Sequence, residues 1–234
     1  MSSLHLLPNR TGAAAENMAL DFLLLQRYPD ATAPRFRHYK WRRPAFTFGF
    51  SQKIEFVRTN LPRGEQFDLC RRPTGGGIVD HRNDWTYTLV LPRGHALYDE
   101  RAAQSYRVVH ECLAQALVEL KQPAEVKTEC EACADGPGVC FQRAELYDVV
   151  NTVTGFKIAG AAQKRNKHGL LFQGSIEKSA LGSLDWDDFS ARFARALAQA
   201  LRVEAQETPW PDLNEDEVSG LIEQYASPEW VEYR

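Results

Sequence analysis

The sequence contains no uncharged apolar stretch approaching the roughly 20 residues that a membrane-spanning helix needs. Its start, MSSLHLLPNRTG, has only a short apolar run, no basic opening and an early Pro8, so a signal peptide is not expected. Cysteines are few, odd in number and irregularly spaced: Cys70, Cys112, Cys130, Cys133 and Cys140 do not form a disulfide framework. Free thiols in a reducing cytoplasm are the expectation. There is no excess of either charge. The formal net charge of −3 gives no basis for general nucleic-acid binding, although Arg42-Arg43 and Arg71-Arg72 leave room for an anionic ligand. Repeats and low-complexity segments are absent. So are the GK[ST] ending of a Walker loop and the GxGxxG spacing of a dinucleotide fingerprint.

What is present is an ordinary globular composition, 44% hydrophobic and 25% charged, over 234 residues. That length supports one domain with a sizeable core. Apolar spacing predicts helices over residues 12–26, 101–120 and 186–201. Strands are predicted over residues 35–41 and 45–50 as a pair around Arg43-Pro44, and over 68–71, 86–91, 146–150, 156–162 and 170–176. Asn166-Lys167-His168-Gly169 reads as a hairpin turn, and residues 129–139 as a loop holding Gly136-Pro137-Gly138. Strands and helices mix without strict alternation, which favours an α+β fold.

Three motifs carry chemistry, each with a plainer alternative. RRPTGGGIVDH, from Arg71 to His81, sets three glycines beside two arginines. Such a run suits a sharp turn or a backbone lying close to a ligand, and the arginines offer forked donors to an anion or carbonyl. The alternative is a solvated hairpin turn. KIAGAAQ, from Lys157 to Gln163, leaves one strand face nearly bare, as a bed for a ligand chain or as a close packing site with Lys157 exposed. Cys140 follows the Gly-Pro-Gly loop, seventeen positions before Lys157. A thiol can hold an acyl group, and a nearby lysine lowers its pKa; a buried, inert cysteine is the alternative. Cys130 and Cys133 form a lone C-x-x-C, which leaves zinc or redox use open beside unpaired loop thiols. His81, His110 and His168 have no ligand spacing, and His110 reads as helix surface.

Taken together, ENMALDFLL, WRRPAFTFGFSQK, RRPTGGGIVDH, WTYTLVLP, CFQRAELYDVV, GFKIAGAAQKR and LLFQGSI occur in one order. In that order the chain resembles the lipoate-protein ligase and octanoyltransferase superfamily, which also includes biotin-protein ligases. The resemblance covers residues 12–180. It implies an α+β catalytic domain of the biotin/lipoate ligase type, a mixed β-sheet flanked by helices, over residues 1–234 with 205–234 as a C-terminal tail. It implies an enzyme that attaches an octanoyl or lipoyl group to one lysine of a lipoyl domain or glycine-cleavage H protein. By match to the family motifs, Cys140 and Lys157 are implied as catalytic, with Arg71, Arg72, Thr74, Gly75, Gly76, Gly77, His81, Gly160, Gln163 and Gly174 at the substrate. No metal ligand is implied.

The Cys140-Phe141 pair is similar to the nucleophile motif of single-domain octanoyltransferases, which take their acyl group from acyl carrier protein without a cofactor. The alternative is a lipoate-protein ligase using ATP and Mg2+, with Cys140 a bystander; three successive glycines resemble the ligases more. Only about fifty residues follow the last motif, too few for the accessory domain those ligases commonly need. The basic glycine-arginine loop of biotin ligases is absent. Arg82 stands where the family often has aspartate, and Gln173 where it often has histidine. A third reading is a non-catalytic lipoyl-domain-binding protein. Neither a nucleic acid nor a membrane is an expected partner.

Overall fold

A computed structural model describes residues 3–129 and 144–233. In chain order the elements are β1 (Ser3–Leu6), β2 (Arg10–Gly12), α1 (Ala14–Gln26), β3 (Arg35–Trp41), β4 (Ala45–Phe48), α2 (Ile54–Thr59), β5 (Asp68–Arg71), β6 (Ile78–Asp80) and β7 (Asp84–Pro92). They continue with α3 (Ala96–Asp99), α4 (Ala102–Glu119), β8 (Ala124–Val126), β9 (Val149–Asn151), β10 (Lys157–Asn166) and β11 (Gly169–Glu177). A 3-10 turn (Lys178–Ala180) leads to α5 (Trp186–Leu201), β12 (Glu204–Glu207), α6 (Glu215–Ala226) and α7 (Pro228–Val231).

The main sheet runs β12-β1-β3-β7-β11-β10-β9-β8, with β2 paired to β3. Its β1, β2, β3 and β12 pairings are parallel except β3 with β7, and β7 through β11 continue antiparallel, so the sheet is mixed as expected. The expected strand pair over residues 35–41 and 45–50 does not form. β3 pairs within the main sheet, whereas β4 lies in a separate three-stranded sheet between β5 and β6. The Arg43-Pro44 step carries the chain from one sheet to the other rather than reversing it. The turn after β10 does form a hairpin, with Asn166 opposite Gly169.

Alternation divides the main sheet's two faces. Tyr87, Leu89 and Leu91 of β7 and Leu170, Phe172 and Ile176 of β11 meet Val109, Leu113 and Leu117 of α4 and Phe189, Phe193 and Leu197 of α5. These helices bury the stripes that their 3.6-residue periodicity announces. Asp185 caps α5 by accepting hydrogen bonds from the Asp187 and Asp188 N–H groups, which satisfies donors the helix cannot pair itself. The opposite face receives α1, which packs Leu24 and Leu25 on Val90 and Leu171. Residues from 205 onward begin inside β12, and Tyr225 of α6 and Trp230 of α7 then pack with Met18 and Cys70. No helix among the described residues is long and apolar enough to cross a membrane.

Candidate active site

The small sheet stands over the α1 face of the main sheet, and a cleft with about 480 Å3 of empty space lies between them. Cross-strand pairs on this face are Gly160 with Ser175 and Ala162 with Gln173, so the small residues of β10 form a low bed beside the polar residues of β11. Met18, Trp41, Thr47, Arg72, Gly76 and His81 complete the walls.

Lys157 opens β10 and is not exposed. Its side chain retains 6% of its accessible surface, and its Nζ lies 2.7 Å from Oδ2 of Asp148, whose side chain retains 1%. A buried ion pair of this kind is costly unless hydrogen bonds complete it. Here they do. The Tyr106 hydroxyl donates to Asp148 Oδ1 at 2.6 Å, and the Glu145 N–H donates to Oδ2 at 2.7 Å. Burial, then the Asp148 charge, holds the Tyr106 phenol well above its ordinary pKa, so it remains a donor. The same oxygen accepts from the Ala161 N–H at 2.9 Å. β9 reaches β10 only at Lys157 and Ala159, and Tyr106 satisfies the N–H beyond that reach.

Gly160 makes room for this lysine. A Cβ at Gly160 would stand 2.7 Å from both Cε and Nζ of Lys157 and 3.1 Å from Asp148 Oδ1. Gly160→Ala therefore displaces the amine while leaving the core untouched. Turnover is expected to fall by about 100-fold, the scale of a 1 Å misplacement, with a lower thermal midpoint as the buried ion pair to Asp148 loosens. Steady-state rates beside a melting curve check this; wild-type turnover would show that the lysine tolerates displacement.

The glycine run closes the other end. Gly76 takes φ 89° and lies against Gly49, where a Cβ would stand 2.1 Å from the Gly76 carbonyl oxygen. Arg72 donates to Thr47 Oγ1 at 2.8 Å and to the Gly75 and Gly77 carbonyls at 2.8 and 2.9 Å, fixing the loop. Thr74 donates to Gln173 Oε1 at 2.7 Å, and Gln173 Nε2 donates to Asp21 Oδ2 at 2.6 Å, tying the loop to β11 and α1. Asp21 in turn pairs with Arg37 at 2.6 Å, both side chains fully buried. His81 bridges Thr47 Oγ1 and Asp84 Oδ2, each at 2.7 Å, beneath the stacked ring of Trp41. Burial pushes the Asp84 carboxyl up, but His81 and the hydroxyls of Ser175 and Thr86 outweigh it and hold the group below its ordinary value.

Not every expected residue joins this cleft. Arg71 points the other way: its guanidinium donates to the carbonyls of Phe50, Gln52, Trp230 and Val231 and anchors α7. Gln163 faces the start of α4, bonded to the Ala102 carbonyl and Ser105. Gly174 contributes backbone to the cleft and backs onto the Tyr87 ring. Arg82 pairs with Asp80 and Glu65 outside it. His110 is not a helix-surface residue but fully buried. Cys130, Cys133 and Cys140 lie outside the described residues. Among the described residues no group of three side chains could hold a metal ion. Sequence reasoning missed Asp148 and Tyr106. The only available signal was an acid set in the apolar run LYDVV.

The family model for the lipoyl protein ligase A/B catalytic domain matches residues 13–207. The chain belongs to this family. An octanoyltransferase LipM from Halalkalibacterium halodurans is 32% identical over 170 residues, 69% of this chain and 61% of that protein. The chain thus spans about three fifths of the length of the curated relatives it matches. The fold matches that of a lipoate-protein ligase A bound with ATP, with a TM-score of 0.74 at 19% identity over 99% of both chains. It equally matches a bi-partite lipoate protein ligase studied with its E2 lipoyl domain from Thermoplasma acidophilum, with a TM-score of 0.73 at 19% identity over 100% of this chain and 98% of that one.

Proposed function

We propose that this chain transfers an octanoyl group from octanoyl-acyl carrier protein to a specific lysine of a lipoyl domain or glycine-cleavage H protein, through a thioester on Cys140. The observation that carries this is the buried Lys157–Asp148 pair at the edge of a cleft bedded with Gly160 and Ala162. An acyl chain lies on such a bed without meeting side chains. The ammonium offers a positive donor where the carbonyl oxygen gains charge, and one such donor is typically worth about 3 kcal/mol. The relatives named octanoyltransferase support the same reading.

In the first step the Cys140 thiolate attacks the donor thioester, and the carrier thiolate leaves and takes up a proton. In the second step the amine of the acceptor lysine attacks the acyl-cysteine, loses a proton and expels the Cys140 thiolate. Exchange between thioesters needs no cofactor. Cys70 and Cys112 are unsuited to this role: burial pushes both thiols up to about 12, so neither supplies a thiolate at neutral pH. A ligase reading assigns Arg71, Arg72 and Lys157 to the phosphates of ATP. Arg71 is instead committed to four carbonyls, and Arg72 to Thr47 and the glycine loop, which favours transfer. A reducing cytoplasm, where Cys140 stays a thiol, suits the chemistry.

Incubation with octanoyl-acyl carrier protein without ATP, followed by intact-protein mass spectrometry, tests the proposal. One octanoyl adduct, mapped to Cys140 and lost in Cys140→Ser, is expected. Absence of an adduct, with lipoyl-domain modification only when ATP and lipoate are added, would replace this reading with the ligase.

A further inference from the structure

We propose that Tyr106 and His110 are positioning residues for the transfer: one face of α4 fixes Asp148 at its carboxylate and at the carbonyl just before it, and Asp148 aims Lys157 into the cleft. The inference rests on the acyl-transfer reading of Lys157.

The two residues are four apart on one helix, so they share a face, and their rings lie 4.2 Å apart. Tyr106 holds the carboxylate directly, at 2.6 Å. His110 acts one residue earlier, where its Nδ1 lies 2.6 Å from the Tyr147 carbonyl oxygen. Burial lowers the pKa of His110 to about 4, and its Nε2 meets no partner among the described residues. The ring is therefore neutral at pH 7, with its proton on Nδ1 donated to that carbonyl.

The backbone at that carbonyl needs holding. Tyr147 has φ 68°, in the left-handed region that side-chain-bearing residues seldom occupy. Such a conformation persists only where its surroundings over-determine it. The Tyr147 N–H donates to the Lys127 carbonyl at 2.8 Å, and the Lys127 N–H donates to the Asp148 carbonyl at 2.9 Å. The peptide that sets the direction of Asp148 is held at both ends: its N–H donates to the Glu145 carbonyl at 3.1 Å, and His110 supplies the bond at its carbonyl. With that bond gone, Tyr147 can relax to negative φ, and the carboxylate swings away from Lys157.

The test compares the full chain with Tyr106→Phe, His110→Leu, His110→Asn and the double variant His110→Leu/Tyr147→Gly. Two quantities are read: octanoyl-transfer kinetics, and the acetylation rate of Lys157 by acetic anhydride at fixed pH, normalised to the surface residue Lys121. His110→Leu, which loses one buried hydrogen bond, is expected to lower kcat about tenfold, and Tyr106→Phe, which loses the bonds to Asp148 and to the Ala161 N–H, at least as much. Donor KM should stay within about twofold, because the acyl bed is unaltered. Labelling of Lys157 should rise several-fold.

His110→Asn, which keeps an N–H donor near the Nδ1 position, should retain most of the rate. Adding Tyr147→Gly to His110→Leu should recover much of it, because glycine takes positive φ without the bond. Variants that melt earlier yet keep wild-type kcat and Lys157 labelling would overturn the proposal and leave both residues as plain packing. If the unsubstituted protein transfers no octanoyl group, the labelling still decides. Increased labelling keeps the positioning role while the octanoyl-transfer reading falls; unchanged labelling removes both.

Discussion

Lys157→Met is expected to abolish octanoyl transfer and also to destabilise the protein by about 3–5 kcal/mol. The second effect comes from the partner left behind. Asp148 keeps a carboxylate with almost no exposed surface, and a buried charge stripped of its counter-charge costs about that much. The loss is large against the roughly 5–15 kcal/mol that holds a typical domain together. Lys157→Met combined with Asp148→Asn separates the two effects. The amide removes the unpaired charge and still accepts from the Tyr106 hydroxyl, but its NH2 then faces the Glu145 N–H, so stability should return in part while turnover stays absent. Urea unfolding beside a transfer assay reads both. Retained turnover in the single variant would remove Lys157 from the chemistry, and a double variant no more stable than the single would remove the stranded-charge argument.

A steep loss of stability on mild acidification is the second large effect. His38 and His110 are both buried, and burial lowers each from an ordinary value of 6.5 to about 4. His38 stacks on Trp85 at 4.3 Å and bonds the Thr86 carbonyl at 2.8 Å, which leaves little room for a hydrated cation. Between pH 6.5 and about 4 the unfolded chain binds a proton at each ring and the folded chain does not. Stability then rises with pH across that window, and falls as pH drops through it. A shift of this size amounts to about 3 kcal/mol per histidine at the acid end. Together the two approach the whole stability of an ordinary domain. Unfolding midpoints in urea across the window should fall steeply, and His110→Asn should reduce the slope by about half. A flat profile would mean that both rings are charged or solvated in the folded state.

The sequence reveals regular structure where one element's pattern suffices. The stripe Val109, Leu113, Leu117 and the aromatic spacing Phe189, Phe193 identify α4 and α5 with no knowledge of what covers them. Alternation in WTYTLVLP likewise identifies β7. Pairing is another matter. β4 sits beside β5 and β6, and nothing in AFTF says that β3, four residues earlier, belongs to another sheet. Periodicity reports which face is buried but not which strand lies alongside.

The same limit governs the site. Lys157 is conspicuous because small residues surround it. Asp148 is one of 31 acidic residues, and its burial depends on α4, some forty positions away. Arg71 and Arg72 show a signal that was present but unused. Neighbours along an extended backbone point to opposite sides, so only one of them can turn toward a cleft on one face. The structure gives that place to Arg72.

The anchorage of Arg71 constrains the order in which the molecule can be assembled. Its guanidinium takes two acceptors from nearby in the chain, Phe50 and Gln52, and two from about 160 positions later, Trp230 and Val231. During synthesis the small sheet is translated long before those last two carbonyls exist. Until they arrive, closing the sheet would trap a cation without two of the four carbonyl acceptors it has among the described residues, a penalty that favours an open arrangement. The same sheet supplies Thr47 to the cleft, and Arg72 and Gly76 follow β5 directly. A nascent chain stalled before residue 228 would therefore carry the small-residue bed of β10 and β11 with its opposite wall still ajar.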